Sequence, residues 1–174
     1  MKNHLMVIAS YLNGGDYDNA KAYTSQILDK LNSAHSYIET GNSLLNHILN
    51  EKLNKARANG ISVKAEIENL SFKRMESIDF SALLSNILDN AIEAEPAEII
   101  VAISQRRGYE TILVKNSISR SVLADNPELE TTKPDGKSHG MGIRQIKAIT
   151  EKYGGMCDFY EEDGYFCACA FIPE

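Results

Sequence analysis

The sequence contains no tryptophan, only three cysteines, no excess of positive charge and no long apolar run. Each shortage excludes something. A net charge of −6 removes bulk electrostatic attraction to a phosphate backbone, so no nucleic-acid partner is expected. No window approaches the roughly 18 to 20 apolar residues that a membrane span requires, and no signal-peptide pattern is visible. Cys157, Cys167 and Cys169 are odd in number, and two of them fall in the apolar run from Tyr165 to Ile172. Cys167-x-Cys169 lacks a second ligand pair, so buried thiols in a strand, in a reducing cytosol, are expected rather than a metal site. Internal repeats and low-complexity segments are also missing.

What is present suffices for one ordinary domain, or a smaller domain with a helical appendage, in 174 residues of unremarkable globular composition. The most informative stretch runs from Asp79 to Glu95. Leu83, Leu84, Ile87, Leu88, Ala91 and Ile92 recur at helical intervals and form one broad apolar face, with Asp79 as the expected N-cap and Pro96 as the stop. The opposite face carries Asn86, Asp89, Asn90 and Glu93 at three- and four-residue intervals. Solvated helix faces favour Glu and Lys, whereas Asn is a poor helix former. Two Asn one turn apart, backed by acids, offer neutral oxygens to a hard cation. Taken alone, the face reads equally as solvated surface or as cation site.

Upstream, Met1, Leu5, Ile8 and Leu12 make a narrow helical stripe that Asn13-Gly14-Gly15 ends. Asp16 can cap a second helix, in which Ala20, Tyr23, Ile27, Leu31, Ala34 and Ile38 form a heptad-like seam. The hairpin's single apolar stripe calls for a partner, either a second copy in a four-helix bundle or the chain's own C-terminal domain; pairing is the more economical. The helical pattern already runs at residue 1 without a preceding cap, so the chain is expected to be cut from something longer. Thr40-Gly41-Asn42 breaks the pattern, Asn42 caps a further helix, and Asn59-Gly60 ends it. The expected division is therefore a helical region over 1–58 and a second domain over 59–174.

In that second domain Ile61, Val63, Ala65 and Ile67 alternate as a strand. After the central helix come strands over 98–105 and 109–115, a loop of about 20 residues suited to a lid, a helix over 141–153 and a final hairpin over 156–172. The fold class expected is α+β, a two-layer α/β sandwich with helices on one face. Where the loop meets the helix stands Gly136-Lys137-Ser138-His139-Gly140-Met141-Gly142-Ile143. Glycines at a helix N-terminus let backbone N–H groups approach an anion, with the helix dipole in support. A Gly-x-Gly alone is a weak signal; its company gives it meaning.

Asn-x-x-Asp-Asn-Ala-x-Glu-Ala at 86–94, a long loop, and His-Gly-x-Gly-Ile at 139–143 occur in that order. Together they resemble the ATP-binding domain of the gyrase, Hsp90, histidine kinase and MutL superfamily, whose sandwich is called the Bergerat fold; the resemblance spans about 61–172. Within it the chain looks most like bacterial sensor histidine kinases of the peptide-quorum-sensing (accessory gene regulator) type. The supporting residues are Met-Lys-Asn-His-Leu at the start, Gly-Asp-Tyr-Asp-Asn-Ala-Lys at 15–21, and Thr-Gly-Asn leading a helix to Asn-Gly-Ile.

The resemblance implies Mg-ATP as ligand, with Asn90 as the Mg2+ ligand. It places Asn86 where hydrolysing members keep a catalytic Glu, and an amide there suits phosphoryl transfer to a side chain over hydrolysis. Gly140 and Gly142 would admit the phosphates, with His139 and Met141 beside them. Asn116 occupies the place of the adenine-reading Asp, a departure from Asp-x-Gly-x-Gly that the quorum-sensing subgroup shares. Glu93 stands where many of these kinases place a phosphate-contacting Lys, and Lys133 or Lys137 of the lid would supply that charge. The phosphoacceptor His of the subgroup precedes a motif matched here by Asn3, so it would lie just upstream of Met1, with His4 the lesser candidate; His35 and His47 read as surface or seam residues. The implied protein is the cytoplasmic kinase core of a two-component sensor: a homodimer through its N-terminal hairpin, partnered by a response regulator, and tied to a membrane only through a missing upstream sensor. The alternatives are a scaffold or phosphotransferase with a degenerate nucleotide site, opposed by the retained Asn86, Asn90, Gly140 and Gly142, and a hydrolysing ATPase, opposed by the absence of Glu at 86.

Overall fold

A computed structural model describes residues 2–33, 38–70, 72–129 and 141–174, with the side chains of 2–4, 26–33 and 141 outside that description. The chain divides into two units, Met1–Tyr37 and Ile38–Glu174. Among the described residues no helix is long and apolar enough to cross a membrane.

The first unit is a pair of helices, α1 (Lys2–Asn13) and α2 (Tyr17–Ser33). Gly15, at φ +72, makes the turn between them. Asp16 caps α2 by accepting from the Asn19 backbone N–H at 3.3 Å and from its carboxamide at 2.8 Å. Tyr11 and Tyr23 meet edge-on across the pair, and Ala20 is buried. Two helices share a single interface, so much of the apolar stripe stays outside it: Leu5 is 63% exposed and Leu12 47%.

The second unit begins with a strap, residues 38–42, held by side-chain amides in place of a neighbouring strand. Asn50 accepts from the Ile38 N–H (2.9 Å) and donates to the Ile38 carbonyl (2.8 Å). Asn46 does the same for Thr40, at 2.7 and 3.0 Å, and Asn69 accepts from the Gly41 N–H at 2.8 Å. The helical seam expected to run through Ile38 therefore stops short of it: Ile38 is outside any helix, because Asn50 satisfies both its backbone groups. Ala34 and His35 lie outside the described residues.

Asn42 then caps α3 (Ser43–Ala58), accepting from the Leu44 and Leu45 N–H groups. Leu45, Leu49, Leu53 and Ala56 are completely buried in one cluster with α4 and the sheet. By its packing α3 thus belongs with the second unit, although its sequence position groups it with the helices before it. After β1 (Ser62–Ile67) comes α4 (Ser77–Glu93), which starts two residues ahead of the expected cap. Asp79 sits inside the first turn, and Glu76, the residue in the cap position, makes no side-chain cap bond. At the other end Glu95 turns at φ +49 and Pro96 follows, as the sequence requires.

The remaining elements are β2 (Glu98–Arg106), β3 (Tyr109–Ser117), a short α5 (Val122–Asp125), α6 (Met141–Lys152), β4 (Met156–Glu162) and β5 (Tyr165–Pro173). They build one five-stranded sheet in the order β1-β2-β3-β5-β4, parallel only between β1 and β2. Alternation turns Ile99, Val101, Ile103, Ile112, Val114, Ala170 and Ile172 to one face, where α4 packs between α3 and α6. This is the α+β two-layer sandwich anticipated from the sequence. Cys167 and Cys169 are buried on β5, and burial pushes the Cys169 thiol up to about 12, a protonated form that is a poor metal ligand.

Candidate functional site

The polar face of α4 looks towards the first turn of α6. Because α4 spends its apolar side on the sheet, Asn86, Asp89, Asn90 and Glu93 are turned away from the core, with Asn86 half-buried and Asn90 exposed. Gly142, the second residue of α6, comes against this face. A Cβ on Gly142 would stand 3.3 Å from Asn90 Oδ1, closer than side chains ordinarily pack, and 3.6 Å from Nδ2, an ordinary contact. The absence of a side chain therefore leaves a small cradle between a helix N-terminus and an amide oxygen. One turn back on α4, Asn86 Nδ2 donates to Gln145 Oε1 at 3.0 Å. That bond takes one of the amide's two N–H donors and leaves its carbonyl oxygen to accept.

This donor set suits a hard divalent cation shared with phosphate oxygens. Asn86 and Asn90 supply neutral oxygens, the α6 N-terminus supplies partial positive charge, and no carbon fills the space between. An ion pair borders the site: Lys52 Nζ of α3 lies 2.8 Å from Asp89 Oδ2.

Asn116 is placed at the end of β3, opposite Ile99 and Phe166 in register, and is 5% exposed. It lines a cleft of about 460 Å³ whose other wall is the turn that follows α4, Ala94 to Ala97. The Ala94 N–H bonds the Asn90 carbonyl at 3.3 Å, so the cleft opens within one helical turn of Asn90. The chain leaving β3 is pinned beside it. Glu161 of β4 accepts from the N–H groups of Leu123 (2.9 Å) and Val122 (2.6 Å), and these bonds hold its carboxyl below the usual range.

The structure thus brings Asn86, Asn90 and Gly142 together, with Asn116 at the adjoining cleft. Lys133, Lys137, His139 and Gly140 lie outside the described residues, as do the side chains of Met141 and His4. His47 is a surface residue 3.9 Å from Glu51. Gln145 and Lys52 were not anticipated. Gln145 was within reach of sequence reasoning, since it follows Gly142 by three and shares its helix face. Nothing in the sequence joins Lys52 to a residue 37 positions away.

α4 and α6 are tied at their far ends as well. Asp79 accepts from Lys152 Nζ and from the Tyr153 hydroxyl, both at 2.6 Å. The Lys152 bond, then the Tyr153 bond, hold the Asp79 carboxyl below its ordinary value. A carboxylate depressed in the folded state stabilises above its unfolded value of about 3.9 and loses that contribution as pH falls through the folded value. Asp79→Asn should therefore lower the thermal midpoint at neutral pH, and the gap from the unsubstituted chain should close below about pH 4. Parallel melting curves at every pH would discount the tie.

A family profile described as "GHKL domain" matches residues 75–173. Comparison with curated proteins finds no match. Among solved structures, the catalytic domain of histidine kinase ThkA superposes with a TM-score of 0.59 at 21% identity, covering 75% of this chain and 90% of that one. The mycobacterial sensor histidine kinase MprB gives 0.53 at 16% identity, covering 74% and 95%. The Acinetobacter baumannii histidine kinase AdeS gives 0.56 at 9% identity, covering 99% and 95%. At these identities the likeness is one of fold.

Proposed function

The chain belongs to the GHKL domain family, and from that premise we propose that it is the cytoplasmic kinase core of a bacterial two-component sensor histidine kinase of the peptide-quorum-sensing type. It binds Mg-ATP for transfer of the γ-phosphoryl group to a histidine and then to a response regulator. The observation that carries this reading is the Gly142 backbone lying directly against the Asn90 amide, a gap that a single Cβ would close. Helices that merely packed together would fill such a gap.

Phosphoryl transfer needs in-line placement and charge neutralisation more than covalent help. Bound Mg2+ would supply the neutralising charge between phosphate oxygens. Asn90 offers it an amide oxygen, and Asn86, fixed by Gln145, presents a second acceptor to the same space. An amide cannot take a proton from water, so Asn86 gives no general base for hydrolysis. Gly142 and the first turn of α6 receive the phosphates, and Asn116 faces the base in its cleft. Lys133, His139, Gly140 and Met141 complete the phosphate end.

The exposed Leu5, Met6 and Leu12 give the first unit an apolar surface that a second copy would cover, forming a homodimer. The functional division is 1–58 and 59–174, in which α3 is counted with the dimerising helices although its leucines pack in the core of the second unit.

The test is titration of the purified chain with a fluorescent ATP analogue, with and without Mg2+, alongside light scattering for mass and a phosphate-release assay. Mg-dependent binding by a dimer without appreciable phosphate release is expected. Failure to bind would favour a scaffold with a degenerate site, and rapid phosphate release would favour a hydrolysing ATPase.

A further inference from the structure

Asp89 is out of character for a triphosphate site. It lies on α4 three residues after Asn86 and immediately before Asn90, so its carboxylate is within about 10 Å of anything the two amides hold. That distance is about one Debye length at physiological ionic strength, where charges still sense one another. An unpaired carboxylate there would repel the phosphates and compete with Asn90 for the cation. Glu93, one turn on, is itself partnered.

Lys52 answers this charge from outside the α4–α6 pair. Its Nζ is 2.8 Å from Asp89 Oδ2, with the side chains 16% and 34% exposed, so solvent screens the pair only in part. Lys52 has little freedom to leave. It sits on α3 between Leu49 and Leu53, both completely buried, and α3 is fixed at its start by the Asn42 cap and by the amides that grip the strap.

Building on the nucleotide reading above, we infer that Lys52 is a positioning residue of the nucleotide site: it neutralises Asp89 and draws its carboxylate towards α3, leaving the Asn86–Asn90 face open to a magnesium triphosphate. Lys52 acts through Asp89 and does not touch the nucleotide. α3 is therefore part of the binding apparatus, and a displacement of α3 would alter nucleotide affinity without moving any ligand-contacting residue.

The experiment measures the Kd of the fluorescent ATP analogue with Mg2+ for the full chain at low and at raised ionic strength. Lys52→Met is expected to raise Kd roughly tenfold at low salt, with the deficit shrinking as salt rises. Lys52→Arg keeps the charge and should stay within about twofold of the unsubstituted chain. Asp89→Asn breaks the ion pair equally well yet should bind as tightly or more tightly, and Lys52→Met/Asp89→Asn should return to within about twofold. A pair that served only packing would weaken binding in both single variants alike and show no salt dependence; that pattern, or an unchanged Kd in Lys52→Met, overturns the inference. Should Lys52→Met fail to fold, Asp89→Asn decides alone, because weakened binding by that variant contradicts the role assigned to the carboxylate. Absence of Mg-dependent binding by the unsubstituted chain would overturn the nucleotide reading itself, and is seen before any variant is compared.

Discussion

Asn90→Ala is expected to abolish Mg-dependent nucleotide binding while leaving the fold unchanged. The two halves of that expectation have separate causes. Asn90 is exposed on α4 and takes no part in the core, which is built from Leu83, Leu84, Ile87, Leu88, Ala91 and Ile92 on the other side of the helix. Ala is the better helix former by a few tenths of a kcal/mol, so the thermal midpoint should hold or rise slightly. Binding, by contrast, loses a polar group that meets charge. Such groups contribute about 2–3 kcal/mol, equivalent to roughly a thirty- to hundredfold rise in Kd at 1.4 kcal/mol per factor of ten. The diagnostic is the magnesium dependence. Without Mg2+ the variant and the unsubstituted chain should bind equally weakly; with it, only the unsubstituted chain should improve. A variant that still responds to Mg2+ as the parent does would strip Asn90 of the ligand role.

The features legible in the sequence are those in which a residue's neighbours along the chain decide its environment. Alternation over 98–105 and 109–115 announced β2 and β3 because a strand's period is two and one face is buried. The 83–92 stripe announced α4 for the same reason at period 3.6. Asn42 and Asp16 were legible as caps, since a cap is a contact with the next turn. Asp79 looked like a third cap, but it serves a partner 73 residues away: Lys152 and Tyr153 take both its bonds, and the helix starts earlier. The same limit explains Gln145, Lys52 and the strap. Asn46, Asn50 and Asn69 sit at positions where local pattern predicts only solvent-facing side chains, and their work is to satisfy backbone groups of Ile38, Thr40 and Gly41 that no strand among the described residues reaches. Grouping α3 with the preceding helices followed chain order, whereas its leucines follow burial. For the site itself, the motif supplied Asn86, Asn90 and Gly142 as separate positions. That Gly142 and Asn90 are near neighbours across two helices is a product of the fold, and no spacing of 52 residues in a sequence could state it.

Gly142→Val should separate stability from binding more sharply than any other substitution in the site. Within a helix glycine costs about 0.5–1 kcal/mol relative to alanine, so α6 would be more stable with Ala at this position if space allowed. Space is the constraint. A Cβ would come within 3.3 Å of Asn90 Oδ1, and the amide, being at the end of an exposed side chain, would give way by a few tenths of an ångström. Gly142→Ala should thus keep or raise the thermal midpoint while weakening Mg-nucleotide binding a few-fold, because the displaced group is the one proposed to hold the metal. Val adds two branches fixed near one rotamer by the helix backbone. One of them must enter the space between Asn90 and the α6 N-terminus, where the phosphates would lie. Steric exclusion there costs about the 2–3 kcal/mol of one lost charged contact, and the same again for phosphates held off the helix N-terminus would place binding beyond detection. The ordering Gly, Ala, Val in falling affinity, set against a midpoint that does not fall from Gly to Ala, is the signature of a cradle. Helices that only pack would show affinity and stability moving together, and unchanged affinity in Gly142→Val would mean that the phosphates are bound elsewhere.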